Sequence, residues 1–114
     1  MIQIDYCIGV NNMKRIDLLD RRLNLLIQKR IGYEPRIDMK YHDLKCDSII
    51  RLLQVRFRDF KFTKNLISSD EDNAHKIEII VEIDDSTKYI KTMVFQPFWD
   101  DDNNYEFIGW CLVR

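Results

Sequence analysis

The sequence predicts a single α+β domain over residues 1–114, with two helices packed on one face of an antiparallel sheet of about four to five strands. Three observations support this. The N-terminal segment alternates with a period of two, two later segments repeat apolar residues at helical spacing, and the C-terminal half contains three or four strand-like runs. The predicted order is therefore β-α-α-β-β-β(-β). Hydrophobic residues make up 46% of the chain and charged residues 32%, which provides enough apolar material for a core.

The first two predicted elements are a strand and a helix. Apolar and polar side chains alternate from the N-terminus to Val10, as in a half-buried strand. From Met13 the period lengthens, and the next apolar residues form one helical stripe: Ile16, Leu19, Leu23, Leu26, Ile27 and Ile31. We expect Asn11 or Asn12 to cap this helix and Gly32 to end it.

A second helix is predicted from about Asp43 to Phe60, after Pro35 has prevented the first helix from continuing. Its apolar residues recur at helical spacing: Cys46, Ile49, Ile50, Leu53 and Phe57. Alternation from Phe60 to Leu66 predicts a further strand, the optional one in the order above. The polar segment 68–73 ends it.

Three more strands are predicted over Ile77–Ile83, Tyr89–Phe95 and Tyr105–Val113, which are rich in β-branched and aromatic residues. The short connection at residues 84–87 predicts an antiparallel hairpin. Residues 96–104 are expected to form the longest loop, and they combine aromatic side chains with three consecutive carboxylates. Loops carry function more often than cores do, so this segment is a candidate site.

Composition excludes several classes of protein. Three Gly and two Pro are too few for a collagen-like or loop-dominated chain. No apolar run approaches the roughly 18 residues that span a bilayer, and the N-terminus lacks the basic segment of a signal peptide. The three cysteines, Cys7, Cys46 and Cys111, are irregularly spaced and are expected to be free thiols. We therefore expect a cytoplasmic protein without a membrane partner.

The net charge of −1 hides a division of charge along the chain. Residues 1–65 hold 14 Lys or Arg against 8 Asp or Glu, whereas residues 66–114 hold 4 against 11. If the two halves occupy different surfaces, each surface attracts a partner of opposite charge. The alternative is that helix cations and strand carboxylates neutralise each other within the fold.

The acidic residues cluster on predicted loops and strand ends, beside aromatic residues suited to anchoring a protein partner. The predicted partner-binding residues are Asp70, Glu71, Asp72, Asp84, Asp85, Phe98, Trp99, Asp100, Asp101, Asp102 and Glu106. The spacing of Asp100, Asp102, Asn104 and Glu106 resembles the start of a calcium loop. However, Tyr105 stands where such a loop needs Gly, so no metal site is predicted.

Catalysis has little support in the sequence. His42 and His75 are far apart, His42 is expected on a loop, and no phosphate-binding Gly-rich loop occurs. Cys46 lies on an apolar stripe, which predicts a buried thiol with a raised pKa. We therefore predict no enzymatic activity and no cofactor.

A nucleic-acid interface is the main alternative. Five cations, Arg51, Arg56, Arg58, Lys61 and Lys64, are interleaved with Phe residues, so cations meet phosphates while bases stack on rings. Against this reading, Phe57 and Phe60 fall on the apolar side of the predicted helix and are explained first by core packing.

The predicted function is that of a protein-binding inhibitor, an immunity or antitoxin-type protein that neutralises a basic toxin, such as a nuclease, through an acidic surface. The alternative is a nucleic-acid-associated factor that binds through the basic second helix. An unclosed sheet also leaves edges at which two copies can pair. The partner's identity and the oligomeric state are not predicted.

Overall fold

The computed structural model describes residues 10–32, 36–68 and 75–110. In these ranges two helices are followed by a four-stranded antiparallel sheet, in the order α-α-β-β-β-β. The predicted α+β class is therefore confirmed. The strand predicted at the N-terminus lies outside the described residues, as do Asp70, Glu71 and Asp72. No helix in the described residues is long and apolar enough to cross a membrane.

The first helix, α1, runs over Val10–Ile27 and continues into a π-helical segment, Gln28–Gly32. It begins at Val10, three residues before the predicted start at Met13, so Asn11 and Asn12 lie within its first turn. The Asn12 side chain donates to Asp84 at 3.2 Å, which ties the start of α1 to the sheet.

The second helix, α2, runs over Met39–Arg56 and begins about one turn earlier than predicted. Asp38 caps it, because its carboxylate accepts the backbone N–H of Tyr41 at 2.8 Å. The helix ends slightly earlier than predicted, where the N–H of Phe57 donates to Leu53 O at 2.8 Å.

The sheet comprises β1 (Lys61–Ser68), β2 (His75–Glu82), β3 (Lys88–Phe98) and β4 (Asp101–Trp110), in the spatial order β1-β2-β3-β4. Every neighbouring pair is antiparallel. The optional strand and the hairpin at residues 84–87 are therefore both present.

The prediction of a long loop at residues 96–104 is wrong. β3 continues to Phe98 and β4 begins at Asp101, so only Trp99 and Asp100 form the turn. The first residues of β4 do not alternate in burial, but alternation is present from Tyr105: Phe107 packs against the core, whereas Glu106 is exposed. The consecutive carboxylates resemble a loop in the sequence, but they include the first residues of a strand.

The helices cover one face of the sheet. Alternate residues of β2 and β3 are buried there, among them Ile77, Ile79, Val81, Tyr89, Met93 and Phe95. They share one core with the helical stripe, which contributes Ile16, Leu19, Leu23, Ile27, Ile49 and Leu53. Complete burial of such a side chain stabilises the fold by about 1.5–3 kcal/mol, so this packing fixes both helices on the same side.

Candidate functional site

Within the described residues, the β3–β4 hairpin extends beyond its neighbour β2, which begins at His75. The paired register of β2 and β3 ends at His75 and Phe95, whereas β3 and β4 remain paired out to Phe98 and Asp101. We call the projecting end, residues 98–102, the hairpin tip. Trp99 lies at its turn with 93% of its surface exposed, the highest value for any large hydrophobic side chain in the described ranges.

The hairpin tip is braced against the segment that precedes α2. Arg36 Nη1 donates to Asp100 Oδ1 at 2.8 Å, and the Arg36 guanidinium lies 4.4 Å from the ring centroid of Phe98. The backbone N–H of Tyr105 donates to Ile37 O at 2.8 Å. The hydrogen bond to Asp100 raises the pKa of Arg36. These contacts hold the base of the hairpin in place while Trp99 stays in water.

The carboxylates near the tip fall into two groups. Asp100 is engaged by Arg36, and Asp101 accepts from Asn104 Nδ2 at 2.7 Å and from Asn103 N at 3.1 Å. The hydrogen bond from the Asn104 side chain is the main cause of the lowered pKa of Asp101. Asp102 and Glu106 are exposed and form no ion pair with any described residue. These two carboxylates are available to a partner.

Among the described residues, the other predicted acidic pair does not join this surface. Asp84 and Asp85 lie in the β2–β3 turn, at the opposite end of β3 from the hairpin tip. Asp84 accepts from Ser86 N at 2.9 Å, and this hydrogen bond is the main cause of its lowered pKa. The structure therefore brings together Phe98, Trp99, Asp100, Asp101, Asp102 and Glu106, and it places the other pair at roughly the length of an 11-residue strand, about 35 Å away.

The basic segment of α2 and β1 is only partly available. Lys64 Nζ contacts Asp43 Oδ1 at 2.7 Å and Asp47 Oδ1 at 2.6 Å, so two carboxylates engage its charge. Phe57 and Phe60 are buried, with ring centroids 5.2 Å apart. They present no stacking surface to a base.

The other four cations of this segment, Arg51, Arg56, Arg58 and Lys61, are exposed. Phe62, the third interleaved ring, is partly buried against the core. Nucleic-acid binding through these cations stays a prediction.

A charged cluster that the sequence did not predict lies against the core. Lys91 is 5% exposed, and its amine lies 3.3 Å from Asp20 Oδ1 and 4.3 Å from the centroid of the Trp110 ring. Tyr89 donates to the same Asp20 oxygen at 2.5 Å. Burial, followed by the hydrogen bond to Asp20, raises the pKa of Tyr89. Lys91 lies two residues from Tyr89 and two from Met93 in a strand, which is the signal that its side chain shares the apolar face.

Two of the residues considered for catalysis, His42 and Cys46, are buried. His42 was expected on a loop, but it lies in α2, where its Nε2 donates to Tyr105 O at 2.8 Å and its ring centroid lies 4.5 Å from that of Phe95. Cys46 is buried as predicted, and burial raises the pKa of its thiol to about 12. The described residues contain no group of three or more His, Cys, Asp or Glu side chains placed to hold a metal ion.

Neutralisation within the fold would pair helix cations with strand carboxylates, but the ion pairs between the helices and the sheet in the described residues have the opposite polarity. The strand residues Lys64 and Lys91 engage the helix carboxylates Asp43, Asp47 and Asp20. The helical segments 10–32 and 39–56 hold ten Lys or Arg against four Asp, and three of those four Asp are thus already engaged by the sheet. The outer helical surface therefore remains strongly basic, while the hairpin tip remains acidic.

No known protein family, curated protein or solved structure matches this chain.

Proposed function

We propose that this chain is a protein-binding inhibitor that engages a basic protein through its hairpin tip. The observation that carries the proposal is the exposure of Trp99 on a braced turn. Trp is among the residues that most often dominate binding energy when a partner desolvates them. A side chain presented on a braced hairpin loses little conformational freedom on binding, so more of its contact energy contributes to affinity.

The charge around Trp99 favours a basic partner. Asp102 and Glu106 form no ion pairs with the described residues, and opposite charges accelerate encounter and suppress wrong partners. An immunity or antitoxin role fits this chemistry, because a nuclease toxin must carry cations to attract phosphate and carboxylates block such a surface by occupying it. The toxin is therefore the partner class that we favour.

The test begins with the full-length chain as bait in the native host. A partner recovered by affinity capture is purified, and binding is measured by titration calorimetry at two salt concentrations. Trp99→Ala is expected to weaken binding by roughly thirtyfold or more, as for a central interface residue. Leu44→Ala is the matched control, because Leu44 is exposed on α2, outside the hairpin tip.

Two pairs of carboxylate changes locate the interface. Asp102→Asn with Glu106→Gln should slow association and reduce its salt dependence, because exposed charges act mainly on the association rate. Asp84→Asn with Asp85→Asn, at the opposite end of the sheet, should leave the association rate and its salt dependence unchanged. Equal effects of the two pairs, or binding indifferent to Trp99, would contradict the proposal.

A further inference from the structure

The outer surface of the helical layer contains an apolar groove with a basic rim. The groove has a volume of about 550 Å³ and is lined by Arg22, Leu25, Leu26, Lys29, Leu52, Leu53, Val55 and Arg56. Three of its apolar side chains are substantially exposed: Leu25 at 57%, Leu52 at 45% and Val55 at 70%. This volume lies within the range of about 300–1,000 Å³ that is typical of ligand-binding clefts. We call this feature the helical groove.

The described residues provide no counter-charge to the rim of the helical groove. Arg22, Lys29 and Arg56 form no ion pair with a described residue, and the Nε atom of Arg22 is buried without a hydrogen-bond partner there. The groove is therefore complementary to a ligand that combines a large apolar side chain with carboxylates.

The hairpin tip has this composition. Trp99 is the apolar group, and Asp102 and Glu106 are nearby carboxylates that form no ion pair with a described residue. The tip cannot reach the groove of its own chain, because the ion pair between Arg36 and Asp100 holds the tip near the N-terminal end of α2. The groove residue Val55 lies near the other end of that helix, about 24 Å further along at 1.5 Å per residue. The complementary surfaces can meet only between two copies.

We propose that the hairpin tip of one copy docks in the helical groove of a second copy. Trp99 packs against Leu25, Leu52 and Val55, and the carboxylates approach the cations of the rim. The contact is head-to-tail, so in a pair of copies one groove and one tip remain unused. Further copies can bind there, and the assembly grows into a closed ring or an open chain. It covers the surface assigned above to the basic partner, so self-association and partner binding compete for Trp99.

Sedimentation velocity of the purified full chain, across the widest accessible concentration range, tests this proposal. We expect oligomers larger than a dimer at high concentration, with self-association weakened by added salt. Trp99→Ala should weaken it by roughly thirtyfold. Leu66→Ala, on the edge strand β1, should have no effect and controls for strand pairing between copies.

A charge swap identifies the two surfaces as partners. Asp102→Lys and Arg56→Glu should each remain monomeric alone, because each places like charges at the junction. An equimolar mixture should associate again, since every junction between unlike copies then carries opposite charges. Arg51→Glu, on the same helix but outside the groove, controls for the loss of a cation.

Sedimentation as a monomer at all concentrations would overturn the proposal, as would a dimer that is insensitive to Trp99. A mixture of the two charge variants that stays monomeric would also count against it. These results are separable from those on the foreign partner: Val55→Asp should abolish self-association and leave partner binding intact, whereas Trp99→Ala should weaken both.

Discussion

At the scale of single residues, Lys91 is a buried lysine within β3. A lysine is rarely buried unless it is paired, because removing its charge from water is unfavourable. Here Asp20 provides the counter-charge, Tyr89 shares the carboxylate oxygen, and the face of Trp110 lies against the ammonium group. The cluster connects α1 to β3 through the core, so its two charged members have unequal effects on stability.

Removing Asp20 should be far more harmful than removing Lys91. Asp20→Ala leaves a buried cation without its partner and is expected to cost about 3–5 kcal/mol of the free energy of unfolding. Lys91→Met removes the buried charge itself and should change stability by less than about 1.5 kcal/mol. Urea unfolding of both variants measures the difference. Asp17→Ala, which removes an exposed pair with Arg21, is the control and should cost no more than about 0.5 kcal/mol.

Equal and small losses for Asp20→Ala and Lys91→Met would show that water reaches the cluster and that the pair is not desolvated. A loss for Lys91→Met as large as that for Asp20→Ala would instead show that the pair is net stabilising. Either outcome would contradict the assigned role of the cluster.

At the scale of elements, the β3–β4 hairpin is shaped by a bulge near its base. The register shifts between Val94 and Phe95, and Gly109 opposite has φ of +138°, a conformation that side chains with a Cβ rarely adopt. The bulge changes the twist of the hairpin and hence the direction in which the tip projects. Glycine is required here for its backbone freedom.

Gly109→Ala is therefore expected to destabilise the protein by about 1–3 kcal/mol through backbone strain. Nothing lies within 4 Å of the added methyl group, so a steric clash does not contribute. Gly32→Ala is the matched control, because its methyl group would meet Ile27 O and Phe107 at an ordinary 3.9 Å. Thermal unfolding of both variants checks this. Unchanged stability in Gly109→Ala would mean that the bulge adopts another conformation.

The helical stripes and the alternating strands were predictable because burial leaves a period in the sequence. The boundaries of the helices and strands were less predictable. α1 begins at Val10 instead of Met13, and Asn12 in its first turn contacts the distant Asp84. β4 begins at Asp101, four residues before the strand predicted at Tyr105–Val113, because its first residues are polar and resemble a loop. Both errors arise where tertiary contacts override local pattern.

The candidate site was predictable in composition but not in arrangement. The sequence shows that Trp99 stands among carboxylates, but it does not show that Arg36 braces the tip or that Asp84 lies at the opposite end of β3. The helical groove was missed entirely, since Leu25 and Val55 come from different helices and each resembles an ordinary exposed apolar residue.

At the scale of the whole molecule, charge is segregated between a basic helical layer and an acidic hairpin tip. Lysines of the sheet engage three of the four helix carboxylates, so the layers do not cancel each other's charge where they face solvent. A molecule with this segregation has two surfaces of opposite charge, each joined to exposed apolar side chains. Both proposals depend on Trp99 leaving water when the tip binds.

The most direct test is the fluorescence emission of Trp99 in a Trp110→Phe variant, in which it is the only tryptophan. At low protein concentration the emission should be that of a fully exposed indole, in accord with its 93% exposure. Adding the basic partner recovered by affinity capture should shift the emission to shorter wavelength and saturate with the calorimetric binding curve. A partner that binds by calorimetry while the Trp99 emission stays that of exposed indole would contradict the assignment of the hairpin tip as the binding surface.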